Sequence, residues 1–258
     1  MGVAIIDKTA LFDPANSLGK IVPVMNGLTA IHFDGKSKGI NQKINGSSFT
    51  VIGSPVNENN YVTDYTELAH IKTQLPCTAE GTIIVIARLF KNSSSINSTL
   101  LGWYENSGSR GVSLINATGG LLLLSCSTVA SDGVTKTTRN AQLDLSGFTS
   151  DTTPGTGRWA AIAGRWYKNS SGIFTLNLNN LTENTSNQVT APAGSTLVTD
   201  TLSNPMLIGS GYVSTGQGGG SKAMGGSLVY DRSLSDDELQ LMYSGYLKGY
   251  FSRRGITV

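Results

Sequence analysis

The chain has 258 residues, of which 14% are charged, and its net charge is +2. That balance gives no electrostatic footing for nucleic acid or an anionic membrane as partner. No apolar run approaches the roughly 20 residues a bilayer-spanning helix needs; Asn, Ser, Thr and Gly dominate instead, as in loop-rich β proteins kept soluble by amides and hydroxyls.

Residues 1–28 read as an N-terminal arm or attachment segment. The apolar patch Val3–Ile6 is too short for a signal peptide, and Asp7 and Asp13 break up the residues after it. A product made in the cytoplasm, leaving only by lysis or a dedicated route, is therefore expected.

From Thr29 the strand signals become regular. TAIHFDG (29–35) is an apolar run closed by an Asp-Gly turn signal. GTIIVIARLF (81–90) is rich in Ile and Val and nearly all apolar, which predicts a central strand covered on both faces. LLGWY (100–104) and GVSLIN (111–116) read as a hairpin, and GGLLLLSCS (119–127) comes next. RWAAIAGRWY (158–167) and GIFTLNLNN (172–180) flank KNSSG as a second hairpin. PMLIGS (205–210) and GGSLVYDR (225–232) supply the last strands. The stretches 53–67, 128–157 and 181–204 read as long loops, and so as candidate binding surfaces. Cys77 and Cys126 lack metal-type spacing and read as reduced, buried thiols, with a disulfide as the alternative.

The segment after the last strand predicts a helix. Ser235 and Glu238 form a capping box, and Leu234 and Leu239 a hydrophobic staple. Asp236 and Asp237 put negative charge on the first turn, where the helix dipole favours it. Leu239, Met242, Tyr243 and Tyr246 share one apolar face, with Gly249 as the stop. Such a face must cover something apolar, and the end or edge of a β-sandwich is the expected target. The tail 249–258, with Arg253 and Arg254 beside an apolar Ile-Thr-Val, reads as a further contact.

This strand–helix unit, with Gly226, Leu228–Tyr230, Asp231, Arg232, Leu234–Glu238, Leu241 and Tyr243, resembles the close of laminin-G-like, concanavalin-A-like jelly-roll domains. AIHFDG (30–35), TIIVIARL (82–89), the hairpin 159–180 and PMLIG (205–209) resemble other parts of that family in the same order; Ala87 stands where the family often has Trp. The resemblance implies an all-β, two-sheet antiparallel jelly-roll sandwich with one short C-terminal helix, spanning 29–248. It also leaves room for one Ca²⁺ held by loop carboxylates. Asp34 and Asp231 stand in the matching motifs, but both are equally ordinary turn residues; otherwise no cofactor is expected.

Catalytic chemistry finds little footing. A retaining glycosidase needs two carboxylates about 5–5.5 Å apart, and no predicted strand carries acids at i and i+2. The acids Asp236–Glu238 are explained by capping. His32 lies in an apolar strand without a lyase motif, and the Gly-rich run 214–226 lacks phosphate-loop spacing. Sugar binding would use exposed aromatics flanked by amides and hydroxyls. Trp103 and Tyr104 beside Asn106 and Arg110, together with Tyr212, are the candidates. The expectation is a non-enzymatic structural or binding protein of a bacteriophage virion. It would be homo-oligomeric, partnered by other virion proteins and by host surface polysaccharide, and located in the virion. A bacterial carbohydrate-binding module and a divergent polysaccharide lyase or glycoside hydrolase are the alternatives.

Overall fold

In the computed structural model, residues 22–43, 48–93, 95–103, 111–199, 204–212, 220 and 222–258 are described. In chain order the strands are β1 (Leu28–Phe33), β2 (Thr50–Ile52), β3 (Val56–Asn57), β4 (Thr63–Tyr65), β5 (His70–Lys72), β6 (Gly81–Leu89), β7 (Ser98–Gly102) and β8 (Val112–Ala117). They continue with β9 (Leu121–Val129), β10 (Lys136–Asp144), β11 (Arg158–Lys168), β12 (Phe174–Asn180), β13 (Thr185–Thr190), β14 (Thr196–Leu197), β15 (Leu207–Ile208) and β16 (Lys222–Tyr230). A helical segment ends the chain's regular structure: α1 (Asp236–Met242), a π turn (Tyr243–Leu247) and α2 (Lys248–Ser252).

Among the described residues the strands form two antiparallel sheets. Sheet I runs β13-β12-β11-β6-β16-β4-β3, with β1 also on β16. Sheet II runs β10-β9-β8-β7-β15-β5-β2, with β14 on β9. The expected two-sheet sandwich is therefore present, including the hairpins β7–β8 and β11–β12.

The period-2 alternation of a strand explains why sheet I is apolar on both faces. Ile83, Val85, Ala87 and Leu89 of β6 join the core between the sheets, with Trp103, Leu124, Trp166 and Leu176. Ile84 and Ile86 point the other way and join a second core, with Ala161, Ala163, Leu228 and Tyr230. The helical segment lies over that outer face and buries Leu239, Met242, Tyr243, Tyr246, Leu247, Tyr250 and Phe251 there. The helix thus covers a face of the sandwich, not its end or edge. It also runs through Gly249 to Ser252. Burying Tyr250 and Phe251 outweighs the roughly 1 kcal/mol that an interior glycine costs a helix.

The tail folds back on its own chain. Ile256 and Val258 are buried in the second core. The Arg254 guanidinium lies 3.5 Å over the Tyr250 ring, and its Nη1 donates to the Tyr250 carbonyl at 2.8 Å. The long loops also prove partly to be strands: β3 and β4 in 53–67, β10 in 128–157, β13 and β14 in 181–204. β10 and β13 are edge strands with solvated faces, and their polar sequences carry little alternation.

The capping box is formed as expected. Ser235 Oγ accepts from the Glu238 amide at 3.1 Å, and Glu238 Oε2 from the Ser235 amide at 2.9 Å. Arg232 closes a clasp on it, its Nη1 and Nη2 lying 2.9 and 2.5 Å from the two Glu238 carboxylate oxygens and its Nε donating to the Asn26 carbonyl. The Tyr230 hydroxyl donates to the Val24 carbonyl at 3.1 Å. The Tyr-Asp-Arg segment therefore ties the last strand, the helix start and residues 24–27 together. Cys77 and Cys126 are free and buried.

Candidate functional site

The outer face of sheet I is only partly covered by the helix. Beyond its first turn, β12 and β13 turn polar side chains outward. Strand alternation sends Leu176 and Leu178 into the core and leaves Asn177 and Asn179 on the other face. The β12–β13 hairpin is held by Asn180, whose Oδ1 accepts from the amides of Thr182 and Glu183. Asn184 takes a positive φ of 53° at its tip, a conformation Asn tolerates.

Between this hairpin and α1 runs a groove of about 320 Å³. Its floor is Arg165, Asn177 and Asn179; its walls are Asn184 and Ser186 on one side, Asp236 and Gln240 on the other. Arg165 is 6% exposed. Its Nη1 donates to the Leu234 carbonyl at 2.8 Å, and its Nη2 to Asn177 Oδ1 at 3.0 Å and to Asp236 Oδ1 at 2.5 Å. Its Nε–H is enclosed without a partner, a penalty of about 1–3 kcal/mol for an unmade bond. The network spreads outward: Asn179 donates to Asn177 Oδ1, while Asn177 Nδ2 and the Tyr167 hydroxyl both donate to Gln188 Oε1, at 3.3 and 3.4 Å. The result is a row of amides with fixed orientation over a buried cation. Such a surface donates and accepts hydrogen bonds at close intervals, as a polyhydroxyl ligand requires.

A second cleft, of about 500 Å³, opens at one end of the sandwich, lined by Lys91, Asn92, Gly119, Gly120, Ser146 and Thr149 among others. Lys91, its cation, is exposed, so no buried charge organises it.

The aromatic candidates fall elsewhere. Trp103 is 2% exposed, sits edge-on to Trp166 at 5.8 Å, and donates its indole N–H to the Leu75 carbonyl at 2.8 Å. Its ring is core and offers no platform to a sugar. It stands at the end of β7, where the inward position wins because Trp166 and Leu75 complete its packing and its one hydrogen bond. Tyr104, Asn106 and Arg110 lie outside the described residues. Tyr212 is half-buried, donates to the Pro205 carbonyl at 2.7 Å, and lines neither concavity.

His32 is enclosed, with Nε2 accepting from the Gly39 amide at 3.1 Å; burial alone lowers its pKa to about 3. Asp34, beside it, accepts from the Tyr65 hydroxyl, and burial holds its carboxyl well above the usual range. Asp34 binds the backbone beside Gly225 and Asp231 that beside Gly27. Gly225 lies near the middle of β16 and Asp231 just past its end, about 20 Å apart at ~3.3 Å per residue. A shared calcium does not fit Asp34 and Asp231, and among the described residues no group of three or more His, Cys, Asp or Glu is placed to hold a metal.

Asp64 and Glu58 do form a carboxyl pair across the β3–β4 hairpin. Burial and then the Glu58 charge raise Asp64 to about 6. Arg88 holds Glu58 at 2.6 and 2.8 Å and stacks over Trp159 at 4.9 Å. These two carboxyls are in hydrogen-bond contact, too close to receive a glycosidic carbon between them.

No family model matches the chain, and no curated protein matches it. Solved structures with the same fold do. The receptor binding domain of botulinum neurotoxin D is 12% identical, with a TM-score of 0.58 over 85% of this chain and 52% of that one. The serotype D ligand binding domain in complex with N-acetylneuraminic acid is 11% identical, with a TM-score of 0.57 over 85% and 51%. The serotype C1 binding domain is 8% identical, with a TM-score of 0.54 over 86% and 52%. The chain thus spans about half the length of these structures, and what it shares with them is the two-sheet sandwich.

Proposed function

We propose that this chain is a non-enzymatic glycan-binding module and that the amide-lined groove between α1 and the β12–β13 hairpin is its binding surface. The observation that carries this is the hydrogen-bonded pair Asn177 and Asn179 over the buried Arg165, with Asn184 and Gln240 on the groove walls. The orientation of the two floor amides is fixed before any ligand arrives, which lowers the entropic cost of binding. The sandwich of the structural neighbour in complex with N-acetylneuraminic acid supports the reading. So does the single carboxylate, Asp236, among the groove's lining residues, since sugar-bond hydrolysis asks for two. His32, the base a lyase reading needs, is enclosed by protein.

A virion role belongs to the same proposal, with neighbouring virion proteins as partners and a homo-oligomeric state. The low charge and the Asn/Ser/Thr/Gly-rich composition support it. Binding to a printed glycan array, repeated with Asn179→Ala and Gln240→Ala, tests the groove. Retained glycans that both variants lose are the expected result; binding unchanged in both variants rejects the groove. Light scattering tests the assembly, and a monomer across the concentration range rejects the oligomer.

A further inference from the structure

The groove's charges say which sugars it takes. Arg165 is the one cation among its described lining residues, and Asp236 lies 2.5 Å from it. The two are unequally presented. The Arg165 side chain is 8% exposed, whereas that of Asp236 is 83% exposed. The guanidinium spends its terminal nitrogens on Leu234, Asn177 and Asp236, and its Nε–H is enclosed. An entering ligand therefore meets the carboxylate and the amides, with the positive charge behind them already neutralised. Asp237 is next on the same turn, and Glu183 stands at the hairpin with its charge taken up by Arg158 at 2.6 Å. The rim is neutral to acidic.

We propose that the groove accepts uncharged, hydroxyl-bearing sugars and that Asp236 rejects acidic ones. This rests on the glycan-binding reading above. A solvent-facing carboxylate accepts from neighbouring sugar hydroxyls, and the amides of Asn179, Asn184 and Gln240 answer with donors and acceptors of no net charge. A sialic or uronic acid carboxylate seated in the same groove is pressed against Asp236 with no open cation to receive it. Specificity here comes from a repulsive element as much as from an attractive one.

The test is an array carrying matched pairs, each neutral oligosaccharide printed with and without a terminal N-acetylneuraminic acid or a uronic acid. It is probed with the full chain and with Asp236→Asn. We expect the neutral members to be retained and the acidic partners weakened by roughly three- to fivefold, the scale of one exposed charge repelled across ~5 Å of well-solvated groove and partly offset by Arg165 behind it. In Asp236→Asn the acidic members gain on their neutral partners, because Arg165 loses its counter-charge, while the unfolding temperature falls by roughly 2–4 °C and the fold is kept at the assay temperature. A parent protein that prefers the acidic members overturns the proposal and leaves the glycan-binding reading standing. So does a variant whose acidic-to-neutral ratio does not move. An array silent for every glycan overturns both.

Discussion

Phe251→Ala tests whether the helix is structurally essential to the sandwich. The ring is 1% exposed and meets Phe33 and Tyr250 edge-on, with centroids 5.9 and 5.1 Å apart. Beneath it β16 offers bare backbone: a Cβ added at Gly225 would stand 3.0 Å from Phe251 Cε1, and one at Gly226 3.4 Å from Cζ. Those glycines have no side chains with which to fill the space a truncated ring leaves. The loss should therefore fall within the range for Phe→Ala in a core that cannot collapse, about 4 kcal/mol. Lost edge-to-face contacts supply about 1 kcal/mol of that. For a chain of this size the midpoint of thermal unfolding falls by roughly 8–16 °C. Leu241→Ala, 49% exposed on the same helix, is the control and should shift stability by no more than ~0.5 kcal/mol. Urea unfolding followed by tryptophan fluorescence measures both. A Phe251→Ala loss below ~1.5 kcal/mol, or an equal loss in the control, would refute the claim that the second core supports the fold.

The buried and paired groups lead to further outcomes. Burial pushes the Cys77 thiol up to about 12 and raises Cys126 as well; neither should react with a thiol reagent until the protein is denatured, and rapid native labelling would contradict their placement. Asp64 holds its proton more tightly folded than unfolded, so its contribution is full below about pH 4 and fades as pH rises through about 6. Asp64→Asn should flatten the stability profile across that window and gain relative to the parent at pH 8; an unchanged profile argues against the carboxyl pair. Glu238 runs the other way: the Arg232 clasp lowers it to about 2, so its stabilisation is present above its ordinary pKa of 4.5 and lost as pH falls through 2. Glu238→Gln should lower stability by about 1 kcal/mol at neutral pH, the scale of a partly exposed clasp, and by less at pH 2.

The strands that build the walls were legible because their chemistry is one-sided. β6 announces burial on both faces through unbroken Ile and Val, and the helix announces its start through Ser235 and Glu238. β10 and β13 stayed hidden because edge strands solvate one side of a pleat and part of the other, so KTTRNAQLD and TSNQVT read as loops. The groove was half visible. Asn177 and Asn179 alternate with Leu176 and Leu178 in a recognised strand, which places both amides on one face. Arg165, in a run of small apolar residues, gave no sign that Leu234 and Asp236, about seventy residues on, would receive its nitrogens. Asp236 had a sufficient local explanation in capping, and that concealed its second task. Trp103 was misplaced because adjacent aromatics on a strand divide between faces, and sequence does not say which one goes inward.

The pairing of β1 with β16 has a consequence for how the chain is made. Thr29 bonds to a carbonyl 200 residues later, and β6 likewise finds one of its two neighbours only in β16. During synthesis from the N-terminus, β1 and β6 leave the ribosome long before β16 exists to pair with them. Sheet I, both cores and the groove wall therefore close together, after translation has reached the final helix. Such late, long-range closure is slow and leaves apolar edges open to strangers in the meantime. A chain cut before α1 would be released with much of the apolar outer face of sheet I uncovered.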